Sequence, residues 1–146
     1  MNWHEKIAQN RTPDLAVENN GEIYLERWHL IPQNWFFNIY LHRFTNSDLP
    51  VPHDHPWFSL AYIIKGSFIE HRPGKKPRHC FERGFYFRSP FSLHWLEMIR
   101  DVTWTIFFTG PVIKPWGFVE NGKWIYNKRF LVNRKSRGKV ESPGSL

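Results

Sequence analysis

Two histidines one residue apart, in Pro52-His53-Asp54-His55-Pro56-Trp57, are the side chains here whose type and spacing point to chemistry. On an extended strand, residues i and i+2 leave the same face, so His53 and His55 project together while Asp54 points the other way. Neutral imidazole is a common ligand for zinc, iron, copper and nickel, and two rings side by side supply neighbouring coordination positions. A third ligand has to come from elsewhere in the chain.

Strands must do the positioning. From Gly21 onward the sequence runs in segments rich in Ile, Val, Tyr, Phe, Trp and Thr, broken by Pro, Gly, Asn, Asp and Ser. Strands are expected at Glu22 to Ile31, Trp35 to Thr45, Phe58 to Lys65, Ser67 to His71 and Cys80 to Arg88. Further ones are expected at Leu93 to Ile99, Val102 to Thr109, Gly117 to Glu120 and Lys123 to Tyr126. Pro32-Gln33-Asn34, Lys65-Gly66-Ser67, Arg100-Asp101 and Asn121-Gly122 are the turns; Asn-Gly is the strongest, because a type I′ hairpin needs positive φ at both central residues. Short strands joined by such turns favour an all-β, antiparallel sandwich or barrel over a parallel sheet with helices. The expected organisation is a polar lead-in over residues 1–20, one β-barrel domain over 21–131, and a basic, flexible tail over 132–146.

Composition sets the outer bounds. A chain of 146 residues with 41% hydrophobic and 18% aromatic content has the apolar payload of one folded domain. It contains no run of 18 or more uncharged apolar residues, and its first residues lack the basic-then-apolar pattern of a signal peptide, so a cytoplasmic protein without a membrane span is expected. The single cysteine, Cys80, has no internal disulfide partner and reads as a packing residue. The net charge of +7 brings nucleic acid into view. Much of that excess crowds into Lys128, Arg129, Arg134, Lys135, Arg137 and Lys139, where a basic end reads as solvated rather than as a docking surface.

The spacing around the histidine pair resembles the first motif of the cupin superfamily, in which a His-x-His pair is followed by Glu and then Gly. Here Ser59 stands at the glutamate position and Gly66 at the glycine position, while Ser47 replaces the motif's opening Gly. The second cupin motif is matched by Gly84 and Pro90, with Ser92 in place of Gly, His94 one residue early and Met98 in place of Asn. The resemblance covers roughly residues 47 to 98. It implies an antiparallel double-stranded β-helix, a jelly-roll barrel holding a divalent metal such as Fe, Zn, Mn or Ni on His53, His55 and His94. A serine hydroxyl is a poorer transition-metal ligand than a carboxylate, so the expected site is a three-histidine face, as in some cupin-like thiol dioxygenases. Glu70 is the reserve ligand; Glu97 lies at an odd offset from His94 and faces away.

In such a barrel the metal sits inside, and the walls come from inward-facing strand residues. Tyr40, His42, Trp57, Ser59, Tyr62 and Phe107 are the expected lining, the middle two on condition that a strand runs through Pro56. Arg27, Arg43 and Arg88 sit within apolar strands, where each charge needs a partner or a ligand carboxylate. His29, His42, His71 and His79 read first as hydrogen-bonded sheet residues, and the basic segment from Arg72 to Arg78 as a solvated hairpin tip.

Three functional readings follow. The first is a metal-dependent enzyme of dioxygenase or isomerase type acting on a small molecule. The second is a metal-free cupin module that binds a small ligand or serves structurally. The third is a nucleic-acid-associated protein using its basic tail. A homodimer is expected as well, because a barrel of this kind exposes sheet edges and the surface is rich in aromatics.

Overall fold

The computed structural model describes residues 1–19 and 21–136. Helix α1 (Trp3–Asn10) opens the chain, followed by β1 (Leu15–Asn19), β2 (Glu22–His29), β3 (Asn38–Phe44), β4 (Ser59–Lys65) and β5 (Phe68–His71). Then come β6 (Arg78–Cys80), β7 (Phe85–Arg88), β8 (Trp95–Met98), β9 (Thr103–Thr109), β10 (Gly117–Glu120), β11 (Lys123–Tyr126) and helix α2 (Asn127–Ser136). One sheet has the order β1-β2-β3-β9-β4-β7, a second β6-β5-β8, and β10 pairs with β11 as a hairpin. The pairings are antiparallel, in line with the all-β expectation.

The two larger sheets close on each other through alternate residues. Leu25, Phe44 and Ile63 from the six-stranded sheet share a buried cluster with Phe68, Cys80 and Leu96 from the three-stranded one. That contact fixes which face of each strand is interior: Leu25 and Arg27 on β2, Tyr40, His42 and Phe44 on β3, Ser59, Ala61 and Ile63 on β4, Thr105 and Phe107 on β9. Cys80 is fully buried among these apolar groups, as a packing cysteine should be. On the outer face, Trp28, Leu41 and Trp104 are covered by Ile7 and Ala8 of α1. A third cluster, Leu49, Trp116, Phe118 and Phe130, closes the end where β10, β11 and α2 pack.

Several boundaries differ from the sequence expectation, each for a local reason. The expected strand Cys80 to Arg88 is two strands, because Arg83 takes a left-handed φ of 66° and the chain turns there, with Gly84 N–H bonding to the Phe81 carbonyl at 3.0 Å. β3 starts only at Asn38, since the Asn34 side chain accepts from the amides of Phe36 and Phe37 and holds residues 34–37 in a turn. β1 lies inside the expected lead-in and pairs along β2. α2 carries little apolar periodicity, yet Phe130 stacks 4.2 Å from Phe118 and anchors it. Of the expected tail, residues 132–136 continue α2, and 137–146 lie outside the described residues.

Candidate metal centre

The histidine pair sits in the connection between β3 and β4, not on a continuous strand. His53 and His94 exchange backbone hydrogen bonds at 3.0 Å in each direction, so two short extended segments, 41 residues apart in sequence, are clamped side by side. Asp54, between the two histidines, points away from them as alternation requires and pins the segment from behind. Its carboxylate accepts from Gly117 N–H at 2.7 Å, Trp124 Nε1 at 3.0 Å and Lys114 Nζ at 2.9 Å, and its own amide donates to the Gly117 carbonyl. Gly117 is required at this contact, because a Cβ there would stand 2.2 Å from the Ile125 carbonyl oxygen.

These constraints bring His53, His55 and His94 together. One ligand nitrogen from each lies within 4.8 Å of the others, and all three residues are 4% exposed. Nε2 of His55 and Nε2 of His94 are 2.9 Å apart. Two neighbouring ligands at about 90° on an ion with bonds of about 2.1 Å are separated by roughly 3 Å, so this spacing fits a shared metal. Trp116 and Phe118 wall the His53 ring.

Glu70 stands directly behind His94. Its Oε2 accepts from His94 Nδ1 at 2.6 Å and from Arg88 Nε at 2.7 Å, and its Oε1 accepts from Arg78 Nε at 3.0 Å. The carboxylate named as a reserve ligand therefore fixes the tautomer and orientation of a ligand, leaving His94 Nε2 free to coordinate; this is the usual place of a carboxylate behind a metal-binding histidine.

The electrostatics favour ligand-competent imidazoles. Burial lowers the pKa of His94 to about 3, the Glu70 bond pulling the other way and the Arg88 charge adding to the lowering. Burial also holds His55 well below its ordinary value, helped by His94 and His53, and lowers His53 against the raising pull of Asp48. For Glu70 burial alone would raise the carboxyl, but the bond from His94 and the Arg88 charge outweigh it and keep it well below the usual range. The stable arrangement is an ionised Glu70 accepting a proton-bearing Nδ1 from a neutral His94. Three neutral imidazoles make a donor set suited to iron, zinc, manganese or nickel.

The remaining expected lining divides by face. Tyr40, His42, Phe107 and Ser59 are buried inside the barrel, and Trp57 packs on Tyr40, Ala61 and Phe107. The strand does not run through Pro56, since β4 begins at Ser59, but Trp57 and Ser59 reach the interior all the same. Tyr62 lies on the opposite face of β4 from Ser59 and packs against exposed Phe85 at 4.7 Å. His71 bonds to Glu97 and stacks on Trp95 on the outside. Two carboxylates near the triad were not assigned a role from the sequence. One is Asp54. The other is Asp48, whose Oδ2 lies 4.0 Å from His53 Nε2 while accepting the Leu96 amide, and whose pKa burial raises. The place of Asp54 inside the His-x-His segment hinted at its role, whereas nothing in the spacing pointed to Asp48.

No protein-family model matches the sequence, and no curated protein matches it. Solved structures match it in fold. An uncharacterised conserved protein with a double-stranded β-helix domain from Klebsiella pneumoniae has a TM-score of 0.56 at 13% identity, over 79% of this chain and 95% of that one. A putative mannose-6-phosphate isomerase from Ralstonia eutropha has a TM-score of 0.53 at 14% identity, over 67% of this chain and 92% of that one. The DMSP lyase DddQ from Ruegeria pomeroyi has a TM-score of 0.51 at 14% identity over 60% of this chain, and the match spans 47% of the lyase, about half its length. The architecture is thus the double-stranded β-helix of cupin domains, and at these identities the likeness is one of fold.

Proposed function

We propose that this protein holds one divalent transition-metal ion on His53, His55 and His94 and acts through it on a small molecule inside the barrel. The observation that carries this reading is the convergence of three buried, neutral imidazoles, one of them oriented from behind by Glu70. When bound, the ion would supply a Lewis-acid or redox centre of the kind that dioxygenase- or isomerase-type reactions use. The chain's own groups do the rest. Glu70 keeps His94 in the coordinating tautomer; Asp54 fixes the segment between His53 and His55; Trp57, Tyr40 and Phe107 exclude water from the barrel wall. Asp48, a buried carboxyl beside His53, is the group placed to hold a proton next to the centre.

Elemental analysis of untagged protein tests the reading. Near-stoichiometric iron, zinc, manganese or nickel, lost in folded His94→Ala, supports it. Metal-free protein that takes up no ion on incubation with divalent salts refutes it and leaves a ligand-binding or structural module. The same reading has the protein acting in the cytoplasm as a homodimer through the outer face of β7, one of the two edge strands of the large sheet, where Phe85 and Phe87 are 66% and 64% exposed. Nucleic-acid binding through the basic end is the weaker alternative, tested by association at low salt.

A further inference from the structure

The metal centre leaves a second polar assembly in the barrel unexplained. In the sheet register Arg27, His42 and Thr105 lie side by side in one interior row, and Thr109 and Ser59 form another, with Tyr40, Phe107 and Ala61 between them. All five polar residues are buried, Arg27 at 6% exposure and the others at 1–2%. Arg27 Nε donates to His42 Nε2 at 2.9 Å, and its guanidinium lies 4.1 Å from the centroid of the Tyr40 ring. Because Nε2 accepts, the neutral His42 carries its proton on Nδ1.

The unused atoms are all able to donate. Arg27 Nη2, His42 Nδ1, Trp57 Nε1, Ser59 Oγ, Thr105 Oγ1 and Thr109 Oγ1 have no hydrogen-bond partner among the described residues. Buried donors left unpaired, with the Arg27 guanidinium and the His42 N–H able only to donate, are unfavourable by themselves and call for an acceptor-bearing occupant. Arg27 differs from the other strand arginines in its lack of a carboxylate partner. Arg43 and Arg78 turn Nε and Nη2 onto a glutamate, and Arg88 binds Glu70, but among the described residues no carboxylate pairs with Arg27. A buried charge without its counter-charge is the costliest arrangement a core can hold.

We infer that Arg27, in one row with His42 and Thr105, binds the carboxylate of a small organic acid inside the barrel. A carboxylate supplies two oxygens and only acceptor sites, matching the donors. Its single negative charge matches the one positive charge present, whereas a phosphate dianion would leave a charge uncompensated. The row of Ser59 and Thr109, on the far side of the aromatic layer from Arg27, adjoins the candidate metal centre. Trp57, two residues beyond His55, packs on the Tyr40 and Phe107 layer, and Ser59 pairs in register with Arg88, which holds Glu70 behind His94. The inference rests on the reading of the barrel as a small-molecule container and names its substrate class as organic acids, without depending on the ion.

Melting of the full chain, metal-stripped and metal-loaded, in millimolar acetate, pyruvate or benzoate tests it, with acetamide and inorganic phosphate as controls. A carboxylate is expected to raise the melting temperature by about 3 °C or more, as a ligand binding only the native state does, and the controls to leave it unchanged. Arg27→Met should abolish that shift, keep the wild-type metal content, and melt no lower than wild type without ligand, since it removes an unpaired buried charge. Where Arg27→Met does not fold, isosteric Thr105→Val reads the same site and should need several-fold more carboxylate for the same shift. Wild type that responds to none of the acids, or variants that keep the full shift, overturns the inference. A carboxylate shift without metal uptake sinks the metal centre and leaves this site standing; metal uptake without the shift does the reverse.

Discussion

Replacing Glu70 with glutamine isolates the electrostatics of the three-histidine cluster. Glu70 is 1% exposed, and its oxygens accept from His94, Arg88 and Arg78. Glutamine keeps the shape but offers only one acceptor oxygen, and its amide donors would oppose the donors of His94 or Arg88. It also leaves Arg88, 8% exposed, as a buried charge without a partner. Removing one member of a buried ion pair costs about 3 to 5 kcal/mol. Arg78 adds little, because its side chain is 38% exposed and water takes over from the carboxylate. For a domain of this size about 3 kcal/mol lowers the melting temperature by roughly 10 °C. Metal affinity should fall by about 10- to 100-fold as His94 loses its orienting partner. Urea denaturation of the metal-free proteins and chelator competition of the loaded ones measure the two effects separately. A Glu70→Gln protein as stable as wild type and equal to it in metal affinity would refute both the hub and the orientation of His94. Arg27→Met is expected to go the opposite way in stability, although it too touches a buried arginine, because in one case a pair is broken and in the other none exists.

Other consequences follow from the same geometry. The metal-free protein should lose stability as pH falls from about 6.5 toward 3, since His94 stays neutral in the fold but protonates freely when unfolded; His94 alone gives a slope of about 1.4 kcal/mol per pH unit. His53 and His55 are lowered too and steepen that loss, so equal urea midpoints at pH about 7 and about 5 would contradict the buried neutral triad. Asp54→Ala strands the Gly117 amide and Trp124 Nε1 and should cost about 2 to 3 kcal/mol in urea melts, with weaker metal retention on dialysis. Gly66→Ala should cost about 2 kcal/mol or more, because φ is 95° there and a Cβ would meet Thr103 Oγ1 at 2.4 Å and the Val102 carbonyl at 2.8 Å. Phe87→Lys should shift a dimer to monomer in sedimentation without changing the melting of the barrel.

What could be read from the sequence was what lies close together along it. β10 and β11 fall at the expected residues because Asn121-Gly122 sets the hairpin, with Asn121 at φ 54° and Gly122 at φ 75°. The His53 and His55 pair shows as a two-residue period, and the all-β class follows from turn chemistry. α2 was hidden because its helix depends on Phe130 meeting Phe118, a contact between elements rather than a stripe along one. The turn at Arg83 was hidden because arginine gives no warning of positive φ.

The functional side chains follow the same division. Glu70 sits 24 residues from His94, Arg27 sits 15 from His42, and Ser59 meets Thr109 only through the β4 and β9 register. Each pair is made by strand pairing, and a slip of one residue would send every member to the outer face. Sequence therefore reveals a charge in an apolar strand, such as Arg27 or Arg88, without telling which has its partner inside the protein. The fold does: packing of β7 against β5 puts Arg88 on Glu70, register puts Arg27 beside a neutral histidine rather than a carboxylate, and that difference separates the arginine that holds Glu70 behind His94 from the arginine proposed to meet a ligand.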